Sequence, residues 1–191
     1  MIDQAMGSSS LEARLGRLES RDAIRDLVAL YGVHADHRDI EKLGECFTLD
    51  CSFRSMDGRM DARGRQAVID QFHGRFAVLG PSFHYTHDSV VEFDAENPDQ
   101  ARGWVNSHAE VVRNGAALLA AIRYHDEYRR EGGRWRFRAR LLAFFYYVAP
   151  ADYAALLKDR LRNRAYDSPV PADFPEATVT WQQYYATRPA R

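Results

Sequence analysis

The spacing of apolar residues divides the chain into a helical first part and a strand-rich second part. Apolar residues recur every three or four positions from Leu11 to Tyr31, which predicts a long amphipathic helix. Ser20 is a candidate cap for a second helix after a break in this segment. Three further elements are predicted before the midpoint of the chain: a helix at 40–47, a strand at 51–54 and a helix at 63–76.

After Pro81 the pattern changes to segments typical of strands, separated by turn signals such as Asn114-Gly115 and Gly132-Gly133. The predicted strands are 82–93, 102–113, 116–130 and 134–147. Helices followed by antiparallel strands predict an α+β fold in which the helices pack on one face of a curved sheet. Such a sheet, closed by helices, leaves a concave cavity where a small ligand can bind.

Length and composition predict a single folded domain with a C-terminal extension. The chain has 191 residues, of which 46% are hydrophobic and 28% charged, as is usual for a globular domain. We expect residues 1–10 to be disordered, 11–149 to form the domain, and 150–191 to form the extension. A helix is predicted at 153–163, and prolines interrupt regular structure after it. The aromatic residues of the extension predict that it docks, either over the cavity or against another subunit.

Charge and cysteine content exclude several classes of partner. The net charge of −1 argues against binding to nucleic acid or to an anionic membrane surface. No apolar run has the length needed to cross a bilayer, and no signal peptide is evident. Cys46 and Cys51 form neither a Cys-x-x-Cys motif nor a zinc-binding spacing. We therefore expect a reduced, cytoplasmic protein with no nucleic-acid or membrane partner.

Three polar residues in apolar surroundings are the candidate catalytic groups. Tyr31 and Asp36 end the long helix, and His84 begins a strand. Around one dry pocket, a phenol, a carboxylate and an imidazole can move protons without a metal or an organic cofactor. They can remove a proton from a carbon next to a carbonyl or a leaving group. An adjacent carboxylate also fixes the tautomer of a histidine. The alternatives are a solvent-exposed Asp36 and a Tyr31 that only fills the core.

The strand that carries His84 presents a conflict in side-chain alternation. Strict alternation places His84 and Thr86 on the polar side of the strand, and His87 with Val91 on the apolar side. Either a bulge lies between His84 and Val90, or His87 is the histidine that faces the interior.

Two His-x-x-His pairs raise the question of a metal site. Residues three apart on a strand point to opposite faces, so His84 and His87 cannot share one metal ion. His34 and His37 could do so on a helix, but no third ligand is evident. No metal site and no organic cofactor are predicted.

The order of elements resembles the nuclear-transport-factor-two-like superfamily, and within it the SnoaL-like group. That group includes polyketide cyclases, scytalone dehydratase, hexachlorocyclohexane dehydrochlorinase and bile-acid 7α-dehydratase. The resemblance spans about residues 17–148 and rests on four segments: 27–36, His84 with its following strand, 124–128 and 133–140. It implies a cone-shaped, antiparallel or mixed sheet with the N-terminal helices on its concave face. It also implies assembly as a homodimer or homotrimer.

The resemblance implies roles for individual residues. Asp36 and His84 match the catalytic pair of the dehydratase and dehydrochlorinase members, and Tyr31 matches a tyrosine of the dehydratases. The implied function is a cofactor-independent lyase that carries out an elimination on a small hydrophobic cyclic molecule. An isomerase or cyclase with the same pair, or a non-enzymatic binding or assembly module, is the alternative. The candidate substrate-binding residues are Trp104, Asn106, His108, Tyr124, Arg140, Phe144 and Tyr146.

Overall fold

The computed structural model describes residues 10–166 and 168–188 and has the predicted α+β architecture. The helices are α1 Leu11–His37, α2 Ile40–Glu45, α3 Arg65–Phe76, α4 Tyr153–Leu156 and α5 Val179–Ala186, with a short helical turn at Pro150–Asp152 before α4. The strands are β1 Phe47–Ser55, β2 Asp61–Arg63, β3 Leu79–Phe93, β4 Gln100–Arg113, β5 Ala116–Glu131 and β6 Arg134–Val148. Most of the segment 1–10, predicted to be disordered, lies outside the described residues.

The strands form one mixed sheet in the order β2-β1-β6-β5-β4-β3. Strand β1 runs parallel to β6, and all other neighbours are antiparallel. Helix α1 packs across the sheet, and its buried residues Ile24, Leu27 and Val28 join the core with Val105 and Phe137. The predicted mixed sheet covered by N-terminal helices is therefore confirmed.

Helix α1 is one continuous helix of 27 residues. Ser10 caps it, because its hydroxyl accepts a hydrogen bond from the Ala13 N–H at 3.2 Å. The predicted break at Ser20 is wrong. Ser20 is buried on the same face as Ile24 and Leu27, so packing against the sheet holds it inside the helix.

A bulge in β3 decides which histidine faces the interior. The register with β4 shifts between Thr86 and Ser89, so His87 and Asp88 lie opposite a single residue of β4. The side chains on the helix-facing side are Ser82, His84 and Thr86 before the bulge, and Ser89, Val91 and Phe93 after it. His84 is therefore the inward histidine, whereas His87 is exposed.

A second bulge occurs in β6. The register with β5 shifts after Phe144, which leaves Phe145 without an opposite residue. Phe144 and Tyr147 consequently face the helices, and Tyr146 faces the other side of the sheet, where it packs against Tyr153. A strand without the bulge would place Tyr146 inward with Phe144.

The C-terminal extension docks against the part of β6 that β1 leaves uncovered. Strand β1 pairs with β6 only as far as Leu142. Beyond that point the Tyr147 N–H donates to the Arg162 carbonyl at 3.0 Å, and the Asp173 carboxylate accepts from the Phe144 N–H at 2.7 Å. The predicted helix at 153–163 ends early, at Leu156. Turns follow, and Asn163 then forms an isolated parallel bridge with Tyr147 of β6.

We expect Arg162 to be the main anchor of this extension. Its buried guanidinium donates to the carbonyls of Phe145 and Phe174 and forms a two-pronged ion pair with Glu176. Arg162→Met should lower the free energy of unfolding by about 3 kcal/mol, measured by urea denaturation. The reason is that the Glu176 carboxylate and the two carbonyls would be left without their buried charged donor. The more exposed Arg164→Met is the matched control. Equal effects of the two substitutions would contradict this role.

Candidate active site

Asp36 and His84 form a hydrogen-bonded pair between the end of α1 and the start of β3. Nδ1 of His84 lies 2.7 Å from Oδ1 of Asp36, and the backbone N–H of His84 donates to Oδ2 at 2.8 Å. The two side chains are only 17% and 12% exposed. A carboxylate acceptor places the proton of a neutral His84 on Nδ1, which leaves Nε2 as the basic nitrogen.

Ser82 and Arg38 support the carboxylate. The Ser82 hydroxyl donates to Oδ1 of Asp36 at 2.9 Å and accepts from Nη1 of Arg38 at 2.9 Å. Burial raises the pKa of Asp36, but the hydrogen bonds and charge of His84, with the bond from Ser82, outweigh it and lower the net pKa. Asp36 is therefore ionised at neutral pH.

The pair can form because α1 approaches β3 closely. A Cβ on Gly32 would lie 3.3 Å from the Cβ of His84, which is tighter than an ordinary contact. Gly32 lies one turn before Asp36 on the helix. The absence of a side chain at this position lets the helix bring the carboxylate within hydrogen-bond reach of the strand.

An internal cavity lies beside the pair, between the helices and the sheet. Its walls are mostly aromatic and aliphatic, and His84, Ser82, Arg38 and Arg75 supply its polar groups. The aromatic lining is Tyr31, Phe72, Phe76, Tyr124, Phe144 and Tyr147. The open space is about 30 Å³, close to the volume of one water molecule. A ring-sized ligand therefore needs some of the lining side chains to move.

Tyr31 contributes a neutral hydroxyl to this cavity. Its ring is buried and has edge contacts with Phe47, Phe72 and Tyr124. Burial, with a smaller contribution from Tyr124, raises the pKa of Tyr31 far above its ordinary value. The phenol therefore keeps its proton and can donate a hydrogen bond to a ligand oxygen.

Two of the predicted substrate-binding residues, Tyr124 and Phe144, line the cavity. Arg140 does not. It is fully buried beneath the cavity, paired with Asp126 at 3.0 and 3.1 Å, and lies 4.2 Å from the ring centre of Tyr31. Arg140 was predicted to contact the substrate. The structure instead places it beneath two tyrosines of the cavity, Tyr31 and Tyr124, which it supports.

The remaining four predicted residues lie on the opposite face of the sheet. The odd-numbered residues of β4, such as Val105 and Ala109, point into the core. The outward residues are Trp104, Asn106 and His108 on β4, and Tyr146 on β6. None of these four lines the cavity, so their prediction as cavity residues is wrong. His108 instead meets His87, with ring nitrogens 2.7 Å apart.

Sequence reasoning missed four polar residues of the lining: Arg38, Arg75, Ser82 and Tyr147. Ser82 had a usable signal, because it lies two positions before His84 on one strand and shares its face. Arg38 had none, because it faces the site only through a left-handed backbone conformation with φ of 60° after α1.

No metal site and no membrane-spanning segment were predicted from the sequence. Within residues 10–166 and 168–188, no three His, Cys, Asp or Glu side chains are grouped so that they could hold a metal ion. None of the described helices combines the length and apolar composition that crossing a bilayer requires.

Residues 16–141 match the family model of the SnoaL-like domain, and the chain therefore belongs to that family. The solved structure of LinA is 25% identical, with a TM-score of 0.67 over 73% of this chain and 95% of that one. Hexachlorocyclohexane dehydrochlorinase LinA-type3 from Novosphingobium barchaimii LL02 is 24% identical, with a TM-score of 0.65 over 72% and 94%.

A candidate scytalone dehydratase from Novosphingobium aromaticivorans DSM 12444 is 19% identical, with a TM-score of 0.67 over 86% of this chain and 97% of that one. At this identity, as at 24%, the likeness shows the fold alone. No curated protein matches the chain by sequence.

The lowered pKa of Asp36 predicts how acid affects stability. Because the folded-state pKa lies below the unfolded value of about 3.9, ionised Asp36 stabilises the fold above that pH, and the contribution is lost as pH falls through the folded pKa. Asp36→Asn should therefore destabilise the protein near neutral pH, and its difference from the wild type should shrink below about pH 4. Urea denaturation across this range measures it.

Asp26→Asn provides the control, since Asp26 is an exposed residue of the same helix. A destabilisation by Asp36→Asn that stays constant down to about pH 2.5 would contradict the assignment of the lowered pKa.

Proposed function

We propose that this protein is a cofactor-independent lyase that eliminates water or a similar leaving group from a small hydrophobic cyclic molecule. One observation carries the proposal: a histidine lies 2.7 Å from an aspartate at the wall of a largely apolar cavity. The pair is the minimum needed for general base catalysis, because the base is oriented and its charged form is stabilised.

In the proposed reaction, Nε2 of His84 takes a proton from a carbon of the substrate. The electron pair of that C–H bond forms a double bond, and the leaving group departs from the neighbouring carbon. Asp36 stays ionised and stabilises the imidazolium that forms. Return of the proton from His84 to a departing hydroxide gives water, so the substrate loses H₂O and the protein is unchanged.

Tyr31 would bind the oxygen on which negative charge develops. Its hydroxyl is neutral and lines the same cavity as His84. A hydrogen bond to a carbonyl oxygen or to the leaving oxygen becomes stronger as charge builds there, which lowers the barrier. Tyr31 and Asp36 are five residues apart on α1, so they point in different directions from the helix. The phenol and the Asp36–His84 pair therefore flank the cavity and do not stack along the helix.

The similarity to LinA and the geometry together support this chemistry over the alternatives. LinA, which is 25% identical, is named as a hexachlorocyclohexane dehydrochlorinase, an enzyme that carries out an elimination. Isomerisation and cyclisation begin with the same proton abstraction and remain variants of the proposal. A binding or assembly module has no need of a buried, hydrogen-bonded Asp36–His84 pair, so that alternative has less support.

Solvent deuterium exchange gives a test that does not require the natural substrate. Cyclic ketones, cyclic β-hydroxy ketones and hexachlorocyclohexane isomers are incubated with the protein in D₂O and followed by NMR. Deuterium at an acidic carbon reports abstraction by the base, and a new olefinic signal reports elimination. Isomerised or cyclised products would select those variants, and the absence of any exchange or product would reject the proposal.

His84→Ala and Asp36→Asn should each lower kcat/KM for the best compound at least about 100-fold, because each removes part of the general base. Both variants should remain folded by circular dichroism. His87→Ala is the matched control, since His87 is exposed on the same strand. Near-normal turnover by either active-site variant, or an equal loss in His87→Ala, would refute the assigned base.

Tyr31→Phe should lower kcat about 100-fold with little change in KM, since its hydrogen bond strengthens only as charge develops. The substitution keeps the aromatic contacts of the ring and removes only the hydroxyl. Steady-state kinetics on the same compound measures the effect. A change confined to KM would mean that Tyr31 holds the substrate without assisting the reaction.

A further inference from the structure

We infer that the ligand of this cavity carries an anionic group, of the carboxylate type, which binds to Arg75. This inference rests on the proposed use of the cavity as a substrate site and adds the chemical class of the molecule. Arg75 lies in the last turn of α3 and lines the cavity opposite the sheet.

The charge of Arg75 has no carboxylate partner among the described residues. No Asp or Glu oxygen of residues 10–166 and 168–188 lies within ion-pair distance of its guanidinium. The one hydrogen-bond acceptor that it reaches in that part of the chain is Sδ of Met60, at 2.7 Å. A thioether is a weak acceptor, so most of the donor capacity of Arg75 is available to a ligand.

The two arginines that are fully buried in the described part of the chain are each matched by an acid. Arg140 pairs with Asp126, and Arg162 pairs with Glu176. Two other acids bond to other groups: one carboxylate oxygen of Asp57 accepts from Ser55 and from the Arg59 N–H, and Asp173 accepts from the Phe144 N–H.

Arg38, the second cation of the cavity, is already satisfied. Its guanidinium donates to the carbonyls of Ala35 and Gly80 and to the hydroxyl of Ser82, and it lies 4.3 Å from the ring centre of Phe76. Asp36, which lies beside the cavity, is already engaged by its hydrogen bonds to His84 and Ser82. Arg75 therefore leaves an excess of positive charge at the cavity wall.

The surroundings of Arg75 suit a bound anion. Its charge acts on the phenols of Tyr31, Tyr124, Tyr147 and Tyr166, where it offsets part of the pKa rise that burial causes. Phenolic hydroxyls are hydrogen-bond donors to a carboxylate, and a guanidinium binds one with two parallel bonds. Arg75 is also half-buried, so an anion can reach it from solvent at the cavity mouth.

A role in holding the C-terminus of α3 is the competing explanation. A basic residue in the last helical turn interacts favourably with the helix dipole. The carbonyl groups at this end already accept from backbone donors, with the Ala77 N–H bonded to His73 and the Val78 N–H to Arg75. A dipole contribution would affect stability alone and not the choice of ligand.

The test compares acids with their uncharged amides: cyclohexanecarboxylate, benzoate and 1-naphthoate against the corresponding carboxamides. Binding is measured by calorimetry at pH 8, where the acids are ionised and a free imidazole is mostly neutral. The wild type should bind at least one acid about tenfold or more tightly than its amide, as expected for a charge-assisted bond in a partly buried site.

Arg75→Gln should abolish this preference, Arg75→Lys should retain part of it, and His87→Ala, at an exposed residue outside the cavity, should leave it intact. Thermal unfolding of each variant separates a folding defect from a binding defect. Equal binding of acids and amides by the wild type, no binding of any acid, or an undiminished preference in Arg75→Gln would overturn the inference. Because this test measures binding, its failure can be distinguished from a failure of the proposed lyase function, which is tested by the turnover of the His84 and Asp36 variants.

Discussion

The hydrogen bond between Asp36 and His84 is the interaction on which the proposed chemistry depends, and the packing of α1 on β3 makes it possible. The carboxylate comes from the end of a helix and the imidazole from the start of a strand, 48 residues apart in the chain. Gly32 lets the helix approach the strand, and the Ser82 hydroxyl donates to the same carboxylate oxygen as the His84 ring. Because the pair is largely buried, water competes little for this hydrogen bond. The imidazole therefore keeps one orientation.

A second buried ion pair supports the floor of the cavity. Arg140 lies within 4.2 Å of the ring centres of Tyr31, Tyr124 and Phe137, so its charge contacts the aromatic faces as well as Asp126. Burial lowers the pKa of Arg140, but Asp126 and the neighbouring tyrosines together outweigh this effect, and the net pKa is raised. The cation therefore fixes two tyrosine rings whose hydroxyls belong to the cavity, which is a positioning role distinct from contact with a ligand.

Much of the fold followed from residue spacing, whereas one error at the site traces to a bulge and three trace to the choice of face on the regular strand β4. The helix at α1 and the four long strands were predictable, because their periodicity is sustained and their turns carry Asn-Gly or Gly-Gly signals. Tyr146 was assigned to the wrong face because one extra residue at Phe145 reverses side-chain alternation beyond it. The bulge in β3 lies at His87 and Asp88, opposite Asn106, where the sequence carries no glycine or other local bulge signal.

Burial also explains why the cavity is nearly closed and where it opens. The lining residues from the sheet, such as Ile122, Tyr124 and Leu142, are fully buried and closely packed, so moving them would cost core contacts. The partly exposed lining residues are concentrated at the end of α3 and the start of β3, and they include Arg75 and Phe76. These side chains have fewer core contacts to lose than the sheet residues. In the proposed mode of binding, a ligand would enter here beside the Arg75 guanidinium, and its anionic group would meet this counter-charge before the apolar part of the molecule reaches His84.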